Sequence, residues 1–517
     1  MLSQGGRAFG YAAGVVGAWP ILLLLAAPHA PKAAPSAAVR EWTRAHEGAV
    51  LDEFVVLLAM SNVASDAPNI ERNARHLATL LERRGLAATL LDGAGGPPIV
   101  LGELKVAGAR RTVGVYIHYD GQPVEPEKWS GAPWAPVLRD GPIESGGKER
   151  PLEPPFDPEW RLYARSASDD KAPVIGWLAA LDALKAVGLA PTVNLKFLLD
   201  GEEEAGSPHL GAVLRRERER LGADLWLFCD GPVHQTRRPQ VFFGARGVMG
   251  LELTLYGPSR PLHSGHYGGW SPNPAADVAR LVASLRDDDG RVLVEGFYDD
   301  VRPPNAAERA AAARVPDNDA ELRESLALGR TEGAGVRLAE RILGPSLNVR
   351  GLASGAVGDK AANAIPSDAK ASIDFRLVPD QRPERVSTLV EEQLRRQGFQ
   401  IVHDAPDPAT RRAHARLVRL EWDQGYPGFR GPLDAPEAKR VLSAVVEAMG
   451  VEPVALPNIG GSLPMYVLGE ALGAPLVAVP IANHDNNQHA ANENLRLRNL
   501  WDGIAIYATL AMRLGER

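Results

Sequence analysis

The chain has 517 residues, of which 45% are hydrophobic and 23% charged, the proportions of an ordinary globular protein with a large core. Lys and Arg number 57 against 64 Asp and Glu, a formal charge of −7, which argues against a nucleic-acid backbone as the main partner. A single cysteine, Cys229, excludes an intrachain disulfide framework and any Cys-rich metal site.

In chain order, Arg7 lies in a short polar start, followed by an apolar run from Ala12 to Ala27 and a small-residue, proline-containing tract from Pro28 to Ala38. This is the order of a signal peptide, so residues 1–38 are expected to be removed and the body to be periplasmic or secreted. A retained N-terminal anchor is the alternative reading. From Val39 to Arg84 apolar residues recur at three and four, the helical period. Arg111–Asp120, Val193–Glu204 and Ala223–Asp230 read as strands, and Asp169–Gly188 as a helix. The stretch beginning at Leu214, LRRERERLG, reads as a charged helix. This alternation predicts an α/β domain built on a mainly parallel sheet. Past Gly247 the rhythm changes. Val248–Gly257 and Ala369–Pro379 alternate apolar and polar residues as half-buried strands do, with helical stretches at Pro274–Leu285 and Arg385–Gln397. The α/β rhythm resumes near Ala435. The expected organisation is a split catalytic domain, 39–246 and 420–517, around an inserted α+β lid, 247–419.

Strand-like segments end in side chains that can bind metal: His118 and Asp120, then Asp200 to Glu204, then Asp230, then His484, Asp485 and His489. In open α/β sheets such ends converge on one edge. Asp169 and Asp170 add two carboxylates at a helix start. Singly, each has a plain reading as a loop histidine, a helix cap or a solvated turn. Together, so many carboxylates repel unless a cation offsets them, and a pair of divalent ions does so. Two His with several carboxylates suit zinc, with manganese or cobalt as alternatives. The two-residue spacing lets Asp120 accept the second ring N–H of His118. Cys229, on a strand beside Asp230, reads as a small packing residue, and His484 carries no assigned role.

Seven segments occur in order: HYDGQPVEPEKW (118–129), YARSASDDKAPV (163–174), DGEEEAGS (200–207), CDGP (229–232), PLHSG (261–265), NIGGSLP (458–464) and HAANE (489–493). Together they resemble the di-zinc metallopeptidase family that contains carnosinase-type dipeptidases, carboxypeptidase G and aminoacylase. The resemblance spans about residues 40–517. It implies that His118 and Asp230 bind one metal, Glu204 and His489 the other, and that Asp169 bridges them. Asp120 would orient His118, and Glu203 would be the general base and acid. It further implies a homodimer formed through the lid, with His263 reaching into the partner's active site to steady the oxyanion. Arg376 would hold the substrate carboxylate, with Ser462 near it and Asn363 in the substrate-binding region. Asp at position 230 and the HYDGQPVEP wording are closest to dipeptidase-like members. The departures are Ala164-Arg165-Ser166 in place of Gly-Arg-Gly, Ala172 in place of Gly, Asp200 in place of Glu, and a Pro/Gly-rich stretch, Gly141–Pro158, that lengthens the loop before Asp169.

The expected activity is hydrolysis of the amide bond of a small peptide by a metal-activated water, with Glu203 moving the proton. An N-acyl-amino-acid deacylase on the same scaffold is the nearest alternative. A non-catalytic periplasmic binding protein is the alternative of another class. No GxSxG, HExxH or P-loop pattern is present.

Overall fold

The computed structural model describes residues 35–333 and 335–516. The apolar run at Ala12–Ala27 therefore lies outside the described residues. No helix among the described residues is long and apolar enough to cross a membrane.

The larger of two main sheets has eight strands. Asn194–Asp200, Thr112–His118, Leu225–Phe228 and Leu476–Ala478 lie side by side and parallel. This is the mainly parallel core that the βα rhythm predicts. An antiparallel hairpin, Ala87–Gly93 and Gly96–Leu104, extends one edge, and Gln240–Phe242 with Val454–Leu456 extends the other. The central strands are apolar on both faces, and their alternation sorts them into two cores. Val113, Val115 and Ile117 join Leu195, Phe197, Leu199, Leu225 and Leu227 under the helices Pro35–Leu58, Lys171–Ala186, Pro436–Met449 and Leu497–Arg513. Tyr116, Leu198, Trp226 and Phe228 face the opposite way, against Leu210–Arg216 and Met465–Leu472. Gly114 lets Trp226 lie flat on the strand, since a Cβ there would stand 2.2 Å from the indole ring.

The smaller sheet has five strands in the order Ser346–Ala353, Asp368–Leu377, Gly247–Tyr256, Leu417–Trp422 and Gln400–Val402. Met249, Leu251, Leu253 and Leu255 and the alternate residues Ala369 to Leu377 bury one face under Pro274–Ala283 and Pro383–Arg396. The other face carries Asp374 and Arg376, so strand period two aims these charges away from that core. Leu417–Trp422 runs across residue 419 and pairs with Gly247–Tyr256.

Two local expectations change. The charged helix expected from Leu214 is instead the end of a helix over Leu210–Arg216. Its buried residues are Leu210, Val213 and Leu214, and the polar residues beyond have no apolar stripe to dock, so the chain turns. The long loop before Asp169 is partly ordered. Val137–Arg139, Glu149–Arg150 and Arg161–Tyr163 form a four-stranded sheet with Asn494–Arg496 from the C-terminal part.

Candidate active site

The carboxyl ends of the parallel strands meet the lid at an open cavity of about 1020 Å³, lined among others by Asp169, Glu203, Asp230, Arg376, Ser462 and His489. Two groups of metal-capable atoms lie at its floor. His118, Asp170 and Asp230 form one, all buried, and Asp169, Glu204 and His489 the other. Within each group the ligand atoms lie within 4.8 Å of one another. Asp169 stands between the groups. Its Oδ1 is 2.8 Å from His118 Nε2, and its Oδ2 is 3.1 Å from His489 Nε2. His489 is also 3.3 Å from Glu204 Oε2, and His118 3.8 Å from Asp230 Oδ2. Asp170 was not among the ligands implied by the family resemblance, yet it stands with His118 and Asp230.

Electrostatics tests whether a cation belongs here. Burial, reinforced by Asp169, pushes the Asp230 carboxyl up to about 7, and burial with Asp169 pushes Glu204 up to about 8. Burial drives Glu203 and Asp170 well above the carboxylate range, with neighbouring acids adding to it. Burial also raises Asp169, but its hydrogen bonds with His118 and His489 outweigh that and hold it well below the usual range. The bond with Asp169 pushes His489 up to about 9. Asp170 Oδ1 is buried without a hydrogen-bond partner. A concentration of carboxylates that must protonate when alone, with a spare buried oxygen among them, fits divalent cations offered N and O donors.

The protein holds this floor with groups of its own. Asp120 lies with an oxygen 3.3 Å from His118 Nδ1, and its carbonyl is 3.2 Å from the same nitrogen. Its carboxylate also accepts the backbone N–H groups of Glu203 and Glu204, both at 3.0 Å, so one side chain ties two strand ends together. Gln122 donates to Glu204 and Gln488 to Asp169, each at 2.7 Å. Glu493, fully buried, accepts from Arg165, from the backbone N–H groups of Ser166, Ser168 and Asp169, and from the Ser168 hydroxyl, at 2.8–2.9 Å. It fixes the loop that presents Asp169. The loop carrying His489 is held through Asp485, whose carboxylate accepts from Arg161 at 2.5 Å and Arg496 at 2.9 Å. Arg161 is supplied by the small sheet that the lengthened loop builds. Asp170 and Asp485 are among the metal-capable side chains of the sequence but have no role in the family resemblance, whereas Gln122, Gln488, Glu493 and Arg161 were not singled out as site residues. The last Glu of HAANE was the nearest signal.

Across the cavity, Arg376 donates to Ser462 Oγ at 2.8 Å and to Asp374 at 3.1 Å. Arg246 stands beside it, with burial and then Arg376 pushing it down to about 10. His263 and Asn363 are placed elsewhere. Both are exposed at a two-stranded ribbon of the lid, where Ser264 N donates to the Asn363 carbonyl at 2.8 Å, and neither lines the cavity. His263 lies against His266 instead, the rings tilted by 36° with centroids 4.5 Å apart. His484 lines the cavity half-buried. Cys229 is buried and accepts from Trp177 Nε1 at 3.3 Å, and burial pushes its thiol up, as a packing residue requires.

A split α/β scaffold with a His-carboxylate floor under a lid is the arrangement of a metal-dependent hydrolase. The family model described as peptidase family M20/M25/M40 matches residues 114–513, and the chain belongs to that family. It is 27% identical over 454 residues to the Cys-Gly metallodipeptidase dug1 of Schizosaccharomyces pombe, covering 85% of this chain and 88% of the relative. It is 26% identical over 429 residues to the Beta-Ala-His dipeptidase of Homo sapiens, covering 81% of this chain and 78% of the relative. Among solved structures, the M20 family metallo-carboxypeptidase Sso-CP2 of Sulfolobus solfataricus superposes with a TM-score of 0.76 at 28% identity, covering 90% of this chain and 99% of that one. Human carnosine dipeptidase 1 shares the fold, with a TM-score of 0.74 at 23% identity, covering 94% and 100%.

Proposed function

We propose that the protein is a two-metal dipeptidase, with His118, Asp169, Glu204, Asp230 and His489 holding the ions and zinc the working metal. The observation that carries this reading is the meeting, in one cavity, of the His-carboxylate floor with the Arg376–Ser462 pair on the opposite wall. A dipeptide has a scissile amide and a carboxylate one residue apart, which suits a reactive floor facing a guanidinium anchor. The dipeptidase names of the relatives support the same reading. The deacylase and binding-protein alternatives are not favoured.

When bound, the ions would supply Lewis acidity toward a water and the substrate carbonyl. The chain does the rest. Arg376, steadied by Asp374 and Ser462, pairs with the substrate carboxylate. Glu203, beside that floor in the cavity wall, takes the water's proton and returns it to the leaving amine. Asp120 keeps Glu203 at that place by holding its backbone N–H. Gln122 and Gln488 hold Glu204 and Asp169 through neutral donors, which do not compete with a cation for charge.

His263 and Asn363, remote from the cavity of their own chain, fit the reading that a second copy, docked through the lid, supplies its His263 to the oxyanion. The catalytic unit is read as 39–246 and 420–517 and the lid as 247–419, with the pairing of Leu417–Trp422 favouring a seam a few residues later. Export through residues 1–38 completes the proposal.

The test is a panel of free dipeptides, N-acetyl and N-succinyl amino acids and longer peptides, assayed with Zn²⁺, Mn²⁺ or Co²⁺ after removal of bound metal. Dipeptides should be cleaved and N-acyl amino acids spared. Faster release from the N-acyl amino acids would overturn the dipeptidase reading. Cleavage of longer peptides from the C-terminus would replace it with a carboxypeptidase.

A further inference from the structure

The turn between Pro35–Leu58 and the following helix, Ala67–Glu82, reaches the site through Asn62, whose side chain is fully buried. Asn62 Nδ2 donates to the Tyr119 carbonyl at 2.8 Å and to Ser166 Oγ at 2.9 Å. Asn62 Oδ1 accepts from Trp134 Nε1 at 3.1 Å, and its backbone carbonyl accepts from Gly121 N at 3.0 Å. Both amide protons and one carbonyl lone pair are used, which satisfies a buried amide.

The destinations matter more than the number of bonds. Tyr119 is the residue between His118 and Asp120. Ser166, at φ 62°, opens the loop that Glu493 holds and that ends at Asp169. Trp134 belongs to the stretch between those two segments. Asn62 therefore bolts the strand end carrying His118 to the loop carrying Asp169, from a part of the chain that supplies no ligand. The fit is close, because a Cβ at Gly121 would stand 2.3 Å from Ser166 Oγ and 3.1 Å from Asn62 Nδ2. A side chain acting for fold stability alone has no need to divide its donors between two ligand-bearing segments.

We infer that Asn62 is a positioning residue: it fixes the separation of His118 and Asp169 and thereby the retention of metal and the turnover that depends on it. This rests on the reading of those residues as a metal site. Groups that orient ligands typically contribute about 10–100-fold to metal affinity or activity.

The experiment compares wild type, Asn62→Ala and Asn62→Asp with Thr43→Val. Thr43 is buried in the first helix, where its hydroxyl donates to Val39 O at 2.9 Å, so Thr43→Val removes a buried hydrogen bond away from the site. Free Zn²⁺ at half-saturation is measured in chelator buffers, together with melting temperature, kcat and KM. Asn62→Ala should need about 10-fold more free Zn²⁺. At saturating metal its kcat should fall about 10-fold, with KM for a dipeptide within about twofold because Arg376 and Ser462 are untouched. Asn62→Asp should behave similarly, since a carboxylate oxygen would face the Tyr119 carbonyl. Thr43→Val should lose stability and keep its metal affinity. If Asn62→Ala does not fold, Trp134→Phe, which removes one of the three side-chain bonds, should still weaken Zn²⁺ binding a few-fold. Unchanged metal affinity in the folded Asn62 variants, whatever their melting temperature, would overturn the inference. A wild type that binds no metal and works fully in chelator would instead overturn the metal reading beneath it.

Discussion

Glu493→Gln isolates the part of the site that is least visible from outside. The carboxylate serves five donors from full burial: Oε2 accepts from Arg165 and Ser166 N, and Oε1 from Ser168 N, Ser168 Oγ and Asp169 N. Glutamine keeps the shape, removes the charge and turns one acceptor into a donor. Placing the new NH2 at the Oε1 position sets it against three donors, so the less costly orientation places it toward Arg165. The Arg165 side chain is 3% exposed, so its charge is then stranded. Stacking on Trp129, 5.1 Å away, is its remaining support. Removing one partner of a buried ion pair costs about 3–5 kcal/mol, and 4 kcal/mol is about a thousandfold in the folded-to-unfolded ratio. That is a large share of a typical net stability of about 5–15 kcal/mol. Denaturant unfolding gives the loss, and hydrogen exchange at Ser166–Asp169 localises it. Arg165→Met removes the stranded cation, so the double variant should recover roughly 2 kcal/mol relative to the sum of the single losses. Strict additivity, or a Glu493→Gln variant within about 1 kcal/mol of wild type, would refute the reasoning.

Further outcomes follow from the same geometry. Glu203→Gln should keep both metals while kcat falls by about 10²–10⁴, measured on metal-replete protein; near-normal turnover would remove Glu203 from the role of base. Arg376→Ala should raise KM for dipeptides at least tenfold and leave dipeptide amides, already slow, little changed, as steady-state kinetics on the two substrates would show. Burial pushes the Lys171 ammonium down to about 7, while its Nζ donates to the Leu57 and Met60 carbonyls and to Asn73. A free lysine titrates near ~10.4, so the folded state holds fewer protons across the window between, and this group's contribution to stability is lost as pH falls toward 7. Melting temperature should therefore rise from pH 7 to 9, and Lys171→Met should flatten that rise.

The legible part of the molecule was the part with a period or a chemical type. Thr112–His118 and Asn194–Asp200 announced themselves as apolar runs leading into metal-capable side chains, and the change of rhythm at Gly247 marked the start of the second sheet. The hairpin Ala87–Leu104 carries no such pattern, since Pro97, Pro98 and the glycines before them interrupt the alternation of a strand. The two prolines open Gly96–Leu104, before its pairing with Asn194–Asp200 begins at Val100 and where its register with Ala87–Gly93 shifts, so their missing N–H groups are not needed, and the Pro98 carbonyl accepts the Tyr119 hydroxyl. Asn62, Gln122 and Glu493 were illegible for a different reason. Their roles depend on which groups lie opposite them across 57 to 328 residues of chain, which no local pattern encodes. Arg376 was legible as a charge on a half-buried strand, but its partner Ser462 comes from a separate segment, 86 residues away.

The unequal depth of the two ligand groups has a kinetic consequence. His489 stands at the rim with its side chain 54% exposed, while His118, Asp170 and Asp230 are all buried. Of two ions held there, the one bound through His489 would lose a ligand to solvent more readily. Brief chelation would empty that position before the other. Refilling with a different metal would then give a hybrid enzyme with one original and one foreign ion, and the two halves of the centre could be studied one at a time.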